Sequence, residues 1–169
     1  MQPTPSLADR HRLEVLASID FDDPRLRQEL DRLTERTAHR LGAPVSLVTL
    51  LSHISQFFAG SSGLPAWISE VQGTPAEWSF CTDVVTTGEA HTYQDLAAHP
   101  VHETNPLVVV DGARSYAGVP LVVDGEVVGA HCVVGLAERA YTEEEIEQLR
   151  SGAQDVVAIL QRYRRRETG

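Results

Sequence analysis

Lysine is missing from this sequence: all 14 of its basic residues are arginine. That excludes a lysine Schiff base and the phosphate-gripping lysine of a nucleotide-binding loop. Cysteine is scarce as well. Cys81 and Cys132 cannot build a disulfide framework or a four-ligand zinc site, and they fit a reducing compartment. No apolar run approaches the ~20 residues that a membrane-spanning helix needs; the longest lie at 45–51 and 119–123. The opening Met1-Gln2-Pro3-Thr4-Pro5 lacks the basic patch and apolar stretch of a secretion signal. The expectation is therefore a soluble, cytoplasmic protein with no membrane partner. Positive charge is also in deficit. Asp and Glu total 24 and the net charge is −10, a balance that repels phosphate backbones and argues against nucleic acid. Arg162, Arg164, Arg165 and Arg166 form one basic cluster, read as a solvated, frayed helix end.

What is present is enough for one self-sufficient core. A chain of 169 residues falls within the usual range of about 100–200 residues per domain, and folding buries roughly 70% of its extended surface. Residues 1–21 read as an extension, partly helical or flexible, with Leu13 to Ala17 giving a turn or two of helix. Residues 22–163 read as the domain proper and 164–169 as a frayed basic tail.

Asp23-Pro24 is a helix start, cap followed by proline. Leu26, Leu30, Leu33, Thr37 and Leu41 then form a stripe that ends before Gly42. Residues 45–51, β-branched and leucine-rich with apolar residues on both faces, predict a strand covered on both sides, with 54–59 returning beside it. Thr74-Pro75-Ala76-Glu77 has the form of a capping box, predicting a short helix or a pair of turns through Trp78, Phe80, Cys81, Val84 and Val85 that stops at Gly88. A small strand is expected at 91–93, and a connection over 95–105 with Val108, Val109 and Val110 packing back. Asp124-Gly125 sits between two apolar runs as a hairpin turn. Pro120, within the first run, calls for an edge position or a bulge. Thr142-Glu143-Glu144-Glu145 is a second capping box, opening a long helix with Ile146, Leu149, Ala153, Val156, Leu160 and Tyr163 on one stripe.

Four segments occur in a telling order: Ser79-Phe80-Cys81, Asn105-Pro106-Leu107-Val108, Tyr116-Ala117-Gly118-Val119-Pro120-Leu121 and Gly129-Ala130-His131-Cys132-Val133. Flanked by amphipathic helices, they resemble a bacterial subgroup of the GAF domain family over residues 22–161. The resemblance implies an α+β fold. A central antiparallel sheet of five or six strands would carry the N- and C-terminal helices on one face, with short helices and loops over the other. It implies a ligand pocket on the loop-built face and, commonly, a homodimer through the helices. Departures narrow the ligand. Cys81 is followed by Thr82 where a bilin carrier shows Cys-His, the cyclic-nucleotide signature is absent, and Val134-Gly135 stands where an Ile-Asp pair is usual.

The candidate ligand-binding residues are Trp78, Phe80, Cys81, His91, Tyr93, Tyr116 and His131. The aromatics would supply pocket walls or simply core. Cys81, near a helix start, is either a redox or adduct-forming thiol or a buried small hydrophobe. His131, inside an apolar strand, points into the pocket or is satisfied by a carbonyl beneath the helices. His91, His99, His102 and Glu103 lack a metal-ligand pattern, so no metal is expected, and the cofactor is unknown. Three functions follow. The first is a non-catalytic sensor of an unidentified small molecule, signalling in trans to a separate signalling protein. The second is a ligand-free dimerisation scaffold. The third is a thiol redox sensor or an enzyme like the family's free-methionine sulfoxide reductases, whose chemistry needs cysteines in pocket loops. The upper part of the last helix (Val157, Leu160, Tyr163) suggests more apolar surface than a monomer uses.

Overall fold

A computed structural model of the chain describes residues 6–165; the opening at 1–5 and the end at 166–169, with Arg166, lie outside the described residues. Six strands form one antiparallel sheet: β1 (Val45–Leu51), β2 (Ser55–Ser62), β3 (Gly73–Pro75), β4 (His91–Tyr93), β5 (Ser115–Val123) and β6 (Glu126–Gly135), in spatial order β3-β2-β1-β6-β5-β4. The central strands are covered on both sides, and every residue of β1 is buried. That is why β1 carries apolar residues on both faces, Leu47 on one and Val48 and Leu50 on the other, rather than an alternation.

One face carries helices α1 (Arg10–Ala17), α2 (Pro24–Leu41) and α6 (Glu143–Arg162). Asp23 caps α2 by accepting from the Arg25 N–H, and Gly42 closes the helix in the left-handed conformation. Thr142 and Glu145 make the reciprocal capping box of α6. Leu26, Leu30 and Leu33 of α2 meet Leu149, Val156 and Leu160 of α6 over Val48, Val119 and Val133 of the sheet. Helix α1 belongs to the same core through Val15, Leu16 and Ile19, so residues 6–21 are part of the body rather than a loose extension. Arg12 of α1, itself buried, donates to the carbonyls of Leu7 and Val127.

The far end of α6 is occupied within the chain. Leu160 is fully buried, Val157 and Tyr163 pack on the core, and the Tyr163 hydroxyl donates to Glu29. The apolar stripe that suggested a second copy is thus turned in large part onto the chain's own core. Arg164, expected in the frayed tail, is held to the body. Arg164 bridges to Ile19 and bonds Ser18 and Asp124, because the loop after α1 presents acceptors there.

The other face carries only short pieces: α3 (Ala66–Val71), α4 (Thr82–Thr87), α5 (Pro106–Val109) and single 3-10 turns at 76–78 and 96–98. The capping box expected at Thr74 does not form. Thr74 lies in β3, where its hydroxyl accepts from the Gln56 amide, and the helix begins only at Thr82. Of the valines expected to pack back, Val108 does, whereas Val109 and Val110 face solvent. Pro120 pairs with Ala130 of β6 beyond the end of β4, where β5 has become an edge, and a bulge follows at Leu121/Val122. No helix among the described residues is long and apolar enough to cross a membrane.

Candidate functional site

The loop-built face encloses a cavity of about 150 Å³. Its wall is almost entirely carbon: Leu47 from β1, Phe58 from β2, Ile68 from α3, Leu107 from α5 and Val134 from β6, with Phe80 closing one side. Pro44, Gly63 and Leu136 also line it and are exposed, Leu136 by 58%, which marks the mouth. Cys81, Tyr116 and Cys132 lie at the buried end.

The polar atoms of that inner end are joined in sequence. The Gln56 amide donates to Thr74 Oγ1 (3.0 Å), Ser79 Oγ donates to Gln56 Oε1 (2.7 Å), and the Cys81 N–H donates to Ser79 Oγ (3.0 Å). The Tyr116 hydroxyl donates to Cys81 Sγ at 3.0 Å, and Thr49 Oγ1 lies 3.4 Å from the same sulfur. Tyr116 reaches this position by folding its ring over Gly118, where any Cβ would collide with the phenol. The contact with Cys132, aided by Thr49 and Tyr116, lowers the Cys81 pKa to about 7 against the opposing effect of burial. The same thiol contact, together with burial, raises Cys132. Hydrogen bonding rather than a helix end therefore tunes Cys81. The helix it precedes has six residues, and its side chain makes no cap bond.

Of the residues singled out from sequence, the structure brings Phe80, Cys81 and Tyr116 to the cavity. Tyr93 stands behind the wall, its ring 5.6 Å from that of Tyr116 and its hydroxyl donating to Asp83. Burial, and then that bond, raise the Tyr93 pKa. His102 stacks between Tyr93 and Phe80, at 5.1 Å from each, and His99 packs against His102 at 4.8 Å. These histidines are thus part of an aromatic cluster. Trp78 lies off the cavity, its carbonyl accepting from Asn105 Nδ2 (3.1 Å), and His91 sits on the edge strand beside Thr87 Oγ1 (2.9 Å).

His131 is on the opposite face, and the pocket role open to it from sequence is corrected here. Its ring is fully buried beneath α2 and α6. Nδ1 lies 3.0 Å from the Leu47 carbonyl and Nε2 3.0 Å from Thr37 Oγ1. A carbonyl only accepts, so Nδ1 carries the proton and Nε2 accepts from the threonine. Gly152 makes the room, since a Cβ there would stand 2.9 Å from Nε2. Burial lowers the His131 pKa to about 4.

Gln56, Phe58 and Ile68 are cavity residues that sequence reading passed over. Gln56, a polar residue beside Phe57 and Phe58 in β2, was the available signal.

Comparisons with known proteins agree with this architecture. A cyclic di-GMP phosphodiesterase of Pseudomonas aeruginosa is 29% identical over 124 residues, covering 72% of this chain but only 20% of that protein. The GAF domain of a phosphoenolpyruvate-protein phosphotransferase from Coxiella burnetii superposes with a TM-score of 0.70 at 19% identity, covering 89% of this chain and 93% of that one. The type II free methionine-R-sulfoxide reductase of Thermoplasma acidophilum superposes with a TM-score of 0.69 at 14% identity, covering 86% and 99%. At such identities the two solved structures speak for the fold alone. The family model described as GAF domain matches residues 25–161, and with the six-stranded sheet and its two unlike faces, this chain belongs to the GAF domain family.

Proposed function

We propose that this GAF domain is a sensory module whose cavity takes one small, largely apolar molecule of about a single ring. The observation that carries the reading is the cavity itself, enclosed by carbon and holding a few convergent polar atoms at its inner end. Its volume matches that of an apolar protein cavity, about 150 Å³, that stays dry and admits benzene. Drug-sized and nucleotide-like ligands need roughly 300–1,000 Å³, so cyclic dinucleotides and bilins do not fit this space. The Tyr116 hydroxyl and the Gln56 amide would orient a guest bearing one hydroxyl or carbonyl. Any output would pass across the sheet to α2 and α6 and from there to a separate protein.

Thermal unfolding of the reduced protein with benzene, toluene, phenol and indole tests this. A guest present at ten times its Kd adds about 1.4 kcal/mol, hence a rise of roughly 3–6 °C in Tm. Val134→Phe, which places a ring in the cavity, should abolish the response. A flat response across the panel in the native chain, with Val134→Phe no different, would favour the ligand-free scaffold instead.

A further inference from the structure

The inner end of the cavity holds something that accommodating an apolar guest does not require. Cys132 rises from the central strand β6, and Cys81 descends from the turn before α4. Both are free thiols, both line the inner end of the same cavity, and both pack in one core cluster. The Tyr116 hydroxyl lies 3.0 Å from Cys81 Sγ and directly over Gly118 of β5. Gly118 is the register partner of Cys132, so its missing Cβ lets the phenol reach from Cys81 to the strand position beside Cys132. Packing alone does not ask for two sulfurs and a hydroxyl gathered at one end of an apolar cavity. Although Cys81 is only 2% exposed, both cysteines face the cavity, so a small oxidant can reach them through the mouth without unfolding.

We propose that Cys81 and Cys132 are a peroxide-oxidisable dithiol that closes to an intramolecular disulfide across the inner end of the cavity. Cys81 Sγ attacks the nearer oxygen of hydrogen peroxide or a small hydroperoxide. The O–O bond breaks, Cys81 becomes a sulfenic acid, and the departing oxygen takes the thiol's proton to leave as water or an alcohol. Cys132 Sγ then attacks Cys81 Sγ and the S–O bond breaks. Hydroxide leaves with the Cys132 proton as a second water. The two thiols lose two electrons, which the peroxide accepts. Cys81 is the attacking sulfur because its contacts favour the thiolate, the nucleophilic form, while Cys132 holds its proton and resolves. The Tyr116 hydroxyl, donating to Sγ, steadies the charge. A dithiol reductant reverses the bond.

The test is independent of the ligand reading, because it uses guest-free protein and weighs a covalent product. Folded, reduced protein is treated with hydrogen peroxide, denatured in N-ethylmaleimide and weighed intact without reductant. The expected product has lost two hydrogens and takes up no maleimide. It yields one linked peptide pair containing Cys81 and Cys132, and dithiothreitol restores two alkylations. It should also form faster in the folded protein than in urea. Cys132→Ser treated with peroxide and dimedone should carry the adduct at Cys81. Two alkylated thiols after oxidation, a linkage found only between chains, or Cys81 sulfinic acid without the link would each overturn the proposal. The unsubstituted protein's mass decides the matter whether or not Cys132→Ser folds.

Discussion

Thr37, His131 and Gly152 come from three different elements, and each is out of character in its own. A threonine interrupts the leucine stripe of α2, a histidine interrupts a valine strand, and a glycine stands within a long helix. Together they satisfy a neutral imidazole under the helices. Its pH dependence follows from the direction of the shift. The folded state holds the ring at about 4 and the unfolded chain near 6.5, so between those values the unfolded state binds more protons. The contribution is therefore complete above ~6.5 and is lost as pH falls toward 4. Stability at pH 5 should lie about 2 kcal/mol below that at pH 7 from this group. Urea titrations at both pH values should show the increment in the native chain and not in His131→Leu. That variant should also be weaker at pH 7 by ~1–3 kcal/mol, because the Leu47 carbonyl and the Thr37 hydroxyl lose their partner. Its response to cavity guests should be unchanged. The sequence marked His131 as unusual but could not say which face it occupies. Both faces of β6 are covered, with eight consecutive residues from Val128 buried, so no polar side shows which way the alternation runs.

At the scale of elements, the long helices declare themselves and the short ones do not. Cap, stripe and terminating glycine locate α2, and the capping box at Thr142 begins α6. Thr142→Ala removes the acceptor for the Glu145 N–H and should cost about 1 kcal/mol, read as a lower urea midpoint with an unchanged slope. Residues 64–113 are different. Helices of four to six residues complete barely one turn, too little for a 3.6-residue period to appear. There Thr74-Pro75-Ala76-Glu77 has the letters of a capping box, yet Thr74 is drawn into β3 by pairing with Gln56, a contact between distant residues that no local pattern encodes. Ile68, Phe80, Cys81 and Leu107 all come from this segment. The cavity was accordingly less legible than the fold around it, and only the residues carried by the family-like motifs, Phe80, Cys81 and Tyr116, were found in advance.

For the whole molecule, the helical face is one body from Val15 to Tyr163. The family match begins at residue 25, yet α1 places Val15, Leu16 and Ile19 in the common core. Burying each such side chain contributes roughly 1.5–3 kcal/mol, and a domain has only about 5–15 kcal/mol in total. A chain begun at Asp22 should consequently lose most of its stability, and circular dichroism should show a broad, low melting transition. The two faces also share a single thickness of backbone, and at Leu47 they share a residue. Its side chain walls the cavity while its carbonyl holds the imidazole on the far side. A molecule leaning on that leucine alters the geometry of a peptide group read by a histidine it never touches. A guest in the cavity, as proposed above, should therefore shift the ring-proton resonances of His131 from behind the wall, a change that proton NMR would read.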